Sequence, residues 1–233
     1  MERFGGPARG VGSKSSVTDL VSDADRDSEA LIRDMLARER PEDGLLAEEG
    51  TSARGESGRR WVFDPLDGTV SYLYGYPHWC VSVALEDTQG TAVGVVYDPN
   101  REELFAAERG AGATLAGDPI SVRENPPLAE ALIATGFAYD PVRRAEQAEV
   151  VRRLLPAVRD IRRAGSAALD LAWLAAGRLD GYYERGLNDW DWAAGSLLVR
   201  EAGGTVEDLA GEPFGLIAGP AALIAALRPL VEA

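Results

Sequence analysis

The sequence predicts a mixed α/β (α+β) protein whose first half, residues 1–140, is rich in antiparallel strands and whose second half, residues 141–233, alternates helices and strands. The first half contains three short strand patterns separated by turns with Gly, Asp or Pro, at residues 81–85, 92–97 and 103–107. Such a series predicts an antiparallel meander. From residue 140 onwards helical and strand patterns alternate, which is typical of an α/β arrangement. No internal repeat or low-complexity linker separates the halves, so we expect one compact body.

The composition is that of an ordinary globular protein with an acidic surface. Hydrophobic residues make up 45% of the 233 residues, which is enough for a substantial core. The formal net charge of −14 argues against a nucleic-acid partner, because nucleic acids bind basic surfaces, and it permits carboxylates that are partly neutralised by cations. The chain has neither an apolar run near the roughly 20 residues of a membrane span nor a signal-peptide pattern. We therefore expect a cytoplasmic protein without a membrane partner.

The chain has one cysteine and one histidine. Cys80 alone excludes a disulfide framework and a cysteine-rich zinc site, and His78 alone leaves little room for a Ser-His triad. Both are flanked by apolar or aromatic residues, so we interpret them as packed strand residues. The chemistry of this chain must then depend on carboxylates.

The first helix is predicted to begin after Ser22. Its apolar positions recur at helical spacing through residues 31–36, and Pro41 ends the pattern, whereas residues 1–17 are predicted to be irregular. Asp25 allows two interpretations. With Ser22 as the N-cap it resembles a capping box, or its carboxylate belongs to a functional site.

Two adjacent acids, Glu48 and Glu49, follow a short apolar stretch at residues 45–47. From these residues alone, a strand that emerges into solvent is the favoured interpretation. The alternative is that one of the two acids completes a cation site with Asp64. The polar residues 51–60 are predicted to form a mobile loop beside that site.

The segment 61–69 is the one around which the chain is organised. Residues 61–63 predict a short buried strand, and Asp64 and the following proline break it at once. A turn can bring Asp64 and Asp67 to one hard divalent cation, with the carbonyl of Leu66 as a third oxygen ligand. The sequence thus favours an ion site at the end of this strand.

Gly68 and Thr69 complete this turn. Glycine permits a close backbone approach, so the two N–H groups can meet a phosphate oxygen at the start of a short helix. An ordinary surface turn is the alternative, because Asp, Pro and Gly are common turn residues. The glycine-spaced run 110–117 is interpreted as hairpin turns, since it lacks the Lys-Ser/Thr ending of a phosphate loop and leads into a predicted strand at residues 120–122.

The second half is predicted from its caps and its periodicity. After a strand at residues 131–135, Asp140 and Pro141 read as the N-cap and first residue of a helix. The predicted elements are, in order, a helix at 140–155, a strand at 160–162, a helix at 166–176, a strand at 179–183, a helix to residue 202, and a further strand and helix.

Two acids of this half remain open at this point. Asp191 lies at a predicted helix N-terminus, where acids often serve as caps, but its two flanking tryptophans favour a fixed position in a site. Glu184 follows a strand, and it is either an acid in solvent or a group that binds hydroxyls.

Four acids fall at predicted strand ends or helix starts, namely Glu48, Asp64, Asp67 and Asp191. In an open α/β sheet such ends converge on one crevice. Buried carboxylates need neutralising charge, and an all-oxygen set favours Mg²⁺ over zinc. Two or three ions beside a phosphate-binding turn predict hydrolysis of a phosphate ester, in which one ion activates a water and another stabilises the leaving oxygen. Thr69 and Asp25 would orient and deprotonate that water.

Several segments together resemble the signatures of a known enzyme family. They are Asp-Pro-Leu-Asp-Gly-Thr at 64–69, Glu-Glu-Gly at 48–50, Trp-Asp-Trp-Ala-Ala-Gly at 190–195 and Glu-Ala-Gly-Gly at 201–204. The match runs from about Lys14 to the C-terminus and resembles the inositol monophosphatase family of bacterial type, within the lithium-sensitive, magnesium-dependent sugar phosphatases. The resemblance implies a layered αβαβα sandwich, a homodimer and hydrolysis of inositol-1-phosphate.

The resemblance also implies roles for individual residues. The metal ligands for two to three Mg²⁺ ions would be Glu48, Asp64, the Leu66 carbonyl, Asp67 and Asp191, with Asp64 bridging two ions. Gly68 and Thr69 would hold phosphate, and Asp25 with Thr69 would activate the water. The inositol ring would contact Gly165, Ser166, Ala167 and Glu184, with Arg162 or Arg163 lining the same pocket.

The chain departs from the family pattern at two places. The family carries a helix before the segment that begins at Lys14, and its absence leads us to expect a short variant or a truncated chain. Ser71 stands where the family usually has Asn. The alternatives to inositol-1-phosphate are histidinol phosphate, 3′-phosphoadenosine 5′-phosphate or fructose-1,6-bisphosphate on the same fold, or a non-catalytic binding protein that retains it.

Overall fold

The computed structural model describes residue 4, residues 10–14 and residues 20–232. In that part of the chain the helices are α1 (Asp23–Glu39), α2 (Thr69–Leu73), α3 (Pro141–Leu154), α4 (Ala167–Ala175), α5 (Asp189–Glu201) and α6 (Ala221–Glu232). The strands are β1 (Gly12–Ser13), β2 (Leu20–Val21), β3 (Gly44–Ala47), β4 (Ser52–Ala53), β5 (Arg60–Asp67), β6 (Cys80–Asp87), β7 (Gly90–Asp98), β8 (Glu103–Glu108), β9 (Gly112–Leu115), β10 (Asp118–Pro119), β11 (Leu132–Thr135), β12 (Asp160–Arg162), β13 (Gly181–Arg185), β14 (Thr205–Asp208) and β15 (Gly215–Gly219).

The larger sheet has eight strands in the order β10-β9-β8-β7-β6-β5-β3-β4. Neighbouring strands are antiparallel except β3 and β5, which run parallel. The predicted meander is confirmed as β6, β7 and β8. Because β3 and β5 are parallel, their carboxyl ends, followed by Glu48 and ending at Asp67, lie at the same edge of the sheet.

The smaller sheet has five strands in the order β12-β11-β13-β15-β14. Strand β11 is parallel to both β12 and β13, and β15 is antiparallel to its two neighbours. A separate antiparallel pair joins β1 to β2.

Helices and sheets alternate in five layers. Helix α1 packs on β5, α4 and α5 lie between the two sheets, and α3 and α6 pack together on the outer side. The expected αβαβα sandwich is therefore confirmed. Close approach in the middle layer depends on glycine, since a Cβ at Gly195 of α5 would lie 2.6 Å from the Cβ of Leu171, and one at Gly94 of β7 would lie 2.7 Å from the carbonyl oxygen of Ala194.

Some elements differ from the prediction. Residues 120–122 form no strand, although the N–H groups of Ile120 and Val122 donate to Ala113 and Ala202. Two strands, β14 and β15, stand where one was predicted. Residues 1–17 were predicted to be irregular, and most of them lie outside the described residues. Within this range, β1 pairs with β2. In the described part of the chain, no helix is both long enough and apolar enough to cross a membrane.

Candidate active site

One cavity of about 490 Å³ opens between the two sheets. It is lined by all but two of the residues that the sequence nominated for a site, namely Glu48, Asp64, Leu66, Asp67, Gly68, Thr69, Gly165, Ser166, Ala167, Glu184 and Asp191. The two others are Asp25, which reaches the cavity through Thr69, and Arg162. The halves before and after residue 140 both contribute walls.

The prediction that Asp64 and Pro65 end the strand is wrong, because β5 continues to Asp67 and carries a bulge between Asp64 and Asp67. Asp64 pairs with Ser82 of β6, but the register shifts before Asp67 pairs with Cys80. The Asp64 carboxylate accepts a hydrogen bond from the Leu66 N–H at 2.8 Å, which fixes the turn. The sequence folds this way because Pro65 cannot donate a ladder hydrogen bond.

Gly68 is the N-cap of the short helix α2, which begins at Thr69. Its φ of 98° lies in the left-handed region, and a Cβ there would approach the carbonyl oxygen of His78 to 3.0 Å. Both facts require glycine. Ser71, the position that departs from the family pattern, donates from Oγ to the carbonyl of Ala164 at 3.1 Å and so ties α2 to the segment before Gly165.

Asp67 is held by the start of α4. Its Oδ2 accepts hydrogen bonds from the Ser166 hydroxyl at 2.7 Å and from the Ala168 N–H at 2.8 Å. Burial raises the pKa of Asp67 to about 7, the two hydrogen bonds oppose this shift, and the charge of Glu48 adds to it. Ser166 therefore orients a carboxylate, in addition to lining the cavity.

Asp25 fits both interpretations that the sequence left open. Its Oδ2 accepts the Ser22 N–H at 2.9 Å and completes the capping box of α1. Its Oδ1 accepts the Thr69 hydroxyl at 2.8 Å. Asp25 is fully buried, so the cap holds this carboxylate in place for Thr69.

Asp191 also belongs to a capping box, since its Oδ2 accepts the Asn188 N–H at 2.7 Å at the start of α5. Burial and the charge of Asp67 raise its pKa well above the ordinary value. The pKa of Asp64 is likewise raised, first by burial and then by the charges of Glu48, Asp67 and Asp191. These carboxylates are close enough to repel one another.

Lys14 lies beside these acids. Its Nζ is 2.7 Å from Glu48 and 2.5 Å from Glu49. Burial alone would lower the pKa of Lys14, but the charge of Glu48 and the hydrogen bonds to both glutamates outweigh it and raise the pKa. The ammonium thus supplies positive charge next to the buried carboxylates.

The donor chemistry of the cavity fits a hard divalent cation. The nearby ligands are carboxylate oxygens and the Leu66 carbonyl, which Mg²⁺ prefers, and the repulsion among the acids is relieved by positive charge. Within the described ranges, no three acidic, histidine or cysteine side chains converge tightly enough to enclose an ion. One oxygen of each of these carboxylates is engaged by a hydrogen bond or by Lys14, and binding an ion would require the side chains to approach one another.

Glu184 also lines the cavity. Burial raises its pKa to about 7, the hydrogen bond from Tyr182 lowers it, and the charge of Asp170 raises it further. The Tyr182 hydroxyl donates to Glu184 Oε2 at 2.7 Å. Sequence reasoning missed Tyr182, although a local signal existed, because residues two apart on one strand point to the same face.

Of the two arginines that were predicted as alternatives, Arg162 does not line the cavity. It is exposed, and its guanidinium donates to the neighbouring Asp160 at 2.5 Å, outside the residues that line the cavity. Arg163 lines the cavity instead, with its guanidinium 5.9 Å from the ring centroid of Phe137. The cause is the end of β12 at Arg162, since successive strand residues face opposite sides.

His78 and Cys80 are both buried, as expected, but only Cys80 lies on a strand, because β6 begins there and His78 precedes it. His78 Nε2 lies 3.0 Å from Asp170 Oδ1, so a buried pair joins the segment behind Gly68 to α4. The sequence offered no signal for this partner. Burial raises the pKa of the Cys80 thiol, which keeps it protonated.

Gly136 is a further residue that sequence reasoning missed. A Cβ at this position would lie 2.0 Å from Glu184 Oε1. Since that carboxyl group ends a flexible side chain, we expect Gly136→Ala to move Glu184 with little loss of fold stability. The prediction is a several-fold higher KM for a hydroxyl-bearing substrate, with an unchanged KM for an aryl phosphate. Steady-state kinetics with both substrates checks it, and an equal change in the two KM values contradicts it.

Comparison with known proteins places these features in a family. The sequence profile of the inositol monophosphatase family matches residues 1–231. An inositol-1-monophosphatase of Rhizobium meliloti is 44% identical over 224 residues, covering 92% of this chain and 83% of the relative. A Nus factor SuhB of Xylella fastidiosa is 48% identical over 199 residues, covering 85% and 72%.

Solved structures agree with this relationship. The extragenic suppressor protein suhB of Bartonella henselae superposes with a TM-score of 0.90 at 41% identity, covering 95% of this chain and 88% of that chain. A staphylococcal inositol monophosphatase-1, solved as a lithium chloride-soaked inhibitory complex, superposes with a TM-score of 0.84 at 25% identity, covering 96% and 85%. The chain belongs to the inositol monophosphatase family.

Proposed function

We propose that the protein is a Mg²⁺-dependent phosphatase that hydrolyses inositol-1-phosphate to inositol and phosphate. The observation that carries this proposal is one cavity lined by two sets of groups: mutually repelling carboxylates beside the Gly68 turn, and Glu184 with residues 165–167. The first set suits metal and phosphate, and the second suits a polyol. Membership of the family supports the same reaction.

The acidic end would hold two to three Mg²⁺ ions through Glu48, Asp64, the Leu66 carbonyl, Asp67 and Asp191. When bound, the metal neutralises these carboxylates, lowers the pKa of a water and stabilises charge on the leaving oxygen. The N–H groups of Gly68 and Thr69 would bind a phosphate oxygen at the start of α2.

Thr69 and Asp25 would accept the proton of the attacking water in a relay. The Thr69 hydroxyl donates to Asp25 Oδ1, which leaves the lone pairs of Thr69 Oγ1 free to accept a hydrogen bond from water. As the water loses its proton to Thr69 Oγ1, the hydroxyl proton moves to Asp25 Oδ1. The capping box keeps Asp25 aimed at Thr69 throughout.

Glu184 would recognise substrate hydroxyl groups together with Gly165, Ser166 and Ala167. Its carboxylate is oriented by Tyr182 and has room because residue 136 is glycine. An ionised carboxylate accepts hydrogen bonds from hydroxyls more strongly than a neutral amide does.

Glu184→Gln is expected to lower kcat/KM for inositol-1-phosphate about tenfold, by loss of a hydrogen bond to a charged group. Turnover of an aryl phosphate should change far less. Because the pKa of Glu184 is about 7, the preference of the wild type for inositol-1-phosphate over the aryl phosphate should rise as pH increases through 7, and the variant should lack this rise. Equal losses on both substrates would remove the role of Glu184.

The reaction is tested by phosphate release from inositol-1-phosphate, histidinol phosphate, fructose-1,6-bisphosphate and 3′-phosphoadenosine 5′-phosphate, with Mg²⁺, EDTA or Li⁺. We expect Mg²⁺-dependent, Li⁺-sensitive release that is fastest with inositol-1-phosphate. A different leading substrate would favour that alternative on the same fold. No release from any substrate would favour a non-catalytic role. The relatives named Nus factor support such a role only in part.

The same proposal includes a cytoplasmic homodimer in which residues 1–140 and 141–233 of each chain act as one catalytic unit. The shared cavity supports the single unit, because both halves supply its walls. Sedimentation equilibrium tests the dimer, and a monomer at micromolar concentration would contradict it.

A further inference from the structure

One face of α1 reaches three parts of the candidate active site. Asp25 accepts the Thr69 hydroxyl, and the Ser28 hydroxyl donates to the carbonyl of Pro65 at 3.0 Å. Glu29 reaches the turn that follows β3. Positions 25, 28 and 29 lie on one side of a helix, because they are separated by three and four residues.

Glu29 is bonded to that turn by three donors. Its Oε2 accepts the Glu49 N–H at 2.7 Å, and its Oε1 accepts the Thr51 N–H at 3.0 Å and the Thr51 hydroxyl at 2.6 Å. The side chain is buried, with 5% of its surface exposed. Both carboxylate oxygens are engaged by the loop, so Glu29 acts on the loop and has no oxygen to spare for an ion.

These hydrogen bonds fix the backbone next to Glu48. The fixed N–H of Glu49 follows it directly, and the carbonyl of Thr51 accepts the N–H of Ala47 on its other side. The backbone of Glu48 is therefore held from both sides, and the Glu29 carboxylate is the group that joins this turn to α1.

We propose that Glu29 is a positioning residue for metal binding, which holds the turn 48–51 so that the Glu48 carboxylate faces the Asp64 and Asp67 carboxylates. The inference rests on the proposed function, in which Glu48 is a Mg²⁺ ligand. Replacing a residue that orients a metal ligand through hydrogen bonds commonly lowers metal affinity about 10- to 100-fold.

Glu29→Gln tests this inference. The amide nitrogen of Gln cannot accept the Glu49 N–H, so one bond is lost and two donors face each other. We expect the Mg²⁺ concentration for half-maximal thermal stabilisation, measured without substrate, to rise about tenfold. Amide hydrogen exchange at residues 49 and 51 should quicken in parallel. The matched control is Glu39→Gln at the exposed end of the same helix, for which neither value should change.

Thr51→Val is the second variant, because it removes only the hydroxyl bond and keeps the shape of the side chain. It should raise the half-saturating Mg²⁺ concentration in the same direction but by less. The proposal would be overturned if Thr51→Val and a folded Glu29→Gln both reached half-maximal thermal stabilisation at the same Mg²⁺ concentration as the wild type. A shifted Mg²⁺ response without phosphate release by the wild type would instead reject the proposed reaction and leave the positioning role standing.

Discussion

Replacing Asp64 with Asn is expected to lower kcat/KM about 1000-fold or more and, at the same time, to stabilise the protein in the absence of metal. The first effect follows because Asp64 would be a metal ligand in the proposed function, and electrostatic stabilisation of this kind accounts for roughly 100- to 1000-fold per group. The second follows because Asp64 is a buried acid that faces the charges of Glu48, Asp67 and Asp191. Function and metal-free stability therefore oppose each other at this residue.

The sign of the pH dependence follows from the raised pKa values. An acid whose pKa is higher in the folded state than in the unfolded state binds more protons when folded, so stability falls as pH rises between the two values. For Asp67 that window runs from the ordinary value of 3.8 to about 7. In EDTA, the Tm of the wild type should thus fall from pH 5 to pH 8, and Mg²⁺ should restore it at pH 8.

Thermal denaturation in EDTA at pH 8 measures this effect. Asp64→Asn should raise Tm by about 3 °C or more, which corresponds to roughly 1 kcal/mol for a chain of this length. The control is Asp34→Asn, since Asp34 is exposed on α1 and pairs with the neighbouring Arg33. A lower Tm for Asp64→Asn than for the control would contradict the repulsion among the buried acids.

Thr69→Val is expected to lower kcat by roughly 100- to 1000-fold, because the proton path from water to Asp25 Oδ1 is cut. The hydroxyl is replaced by a methyl group of similar size, so the capping box of Asp25 with Ser22 should persist. The Mg²⁺ response should change little. Steady-state kinetics with the Thr69→Ser variant is the matched control, since it retains the hydroxyl and should recover most of the rate.

Asp25→Asn separates the two duties of this carboxylate. It should lose kcat to a similar degree while the capping box persists, because the amide oxygen can accept both Ser22 donors and the amide nitrogen then faces Thr69, where it cannot accept a proton. A Thr69→Val variant with near wild-type kcat would show that the water loses its proton elsewhere.

The local sequence identified the residues of the site better than it identified the side chains that contact them. The acids of 64–69 could be predicted to lie near a strand end, but the pattern placed that end at residue 63, whereas β5 continues to Asp67. The second interpretation of Asp25 and Asp191 could not be decided locally, because a capping acid and a site acid have the same sequence pattern. In the structure each of them makes a capping bond and lies at or next to the cavity.

What the sequence could not supply were contacts between distant segments. Gly136 and Glu184 come together only because β11 and β13 are parallel neighbours, and Lys14 contacts Glu48 across 34 positions of sequence. Which of Arg162 and Arg163 lines the cavity likewise depends on where β12 ends. Buried pairs such as His78 with Asp170 are likewise set by tertiary packing.

The central claim is that the acidic end of the cavity holds divalent cations beside a phosphate site. Anomalous diffraction from crystals soaked with Mn²⁺ and phosphate tests it most directly. We expect anomalous peaks in contact with oxygens of Asp64, Asp67 and Asp191, and phosphate at the N–H groups of Gly68 and Thr69. Peaks elsewhere, or none in this cavity from a crystal of active protein, would contradict the account.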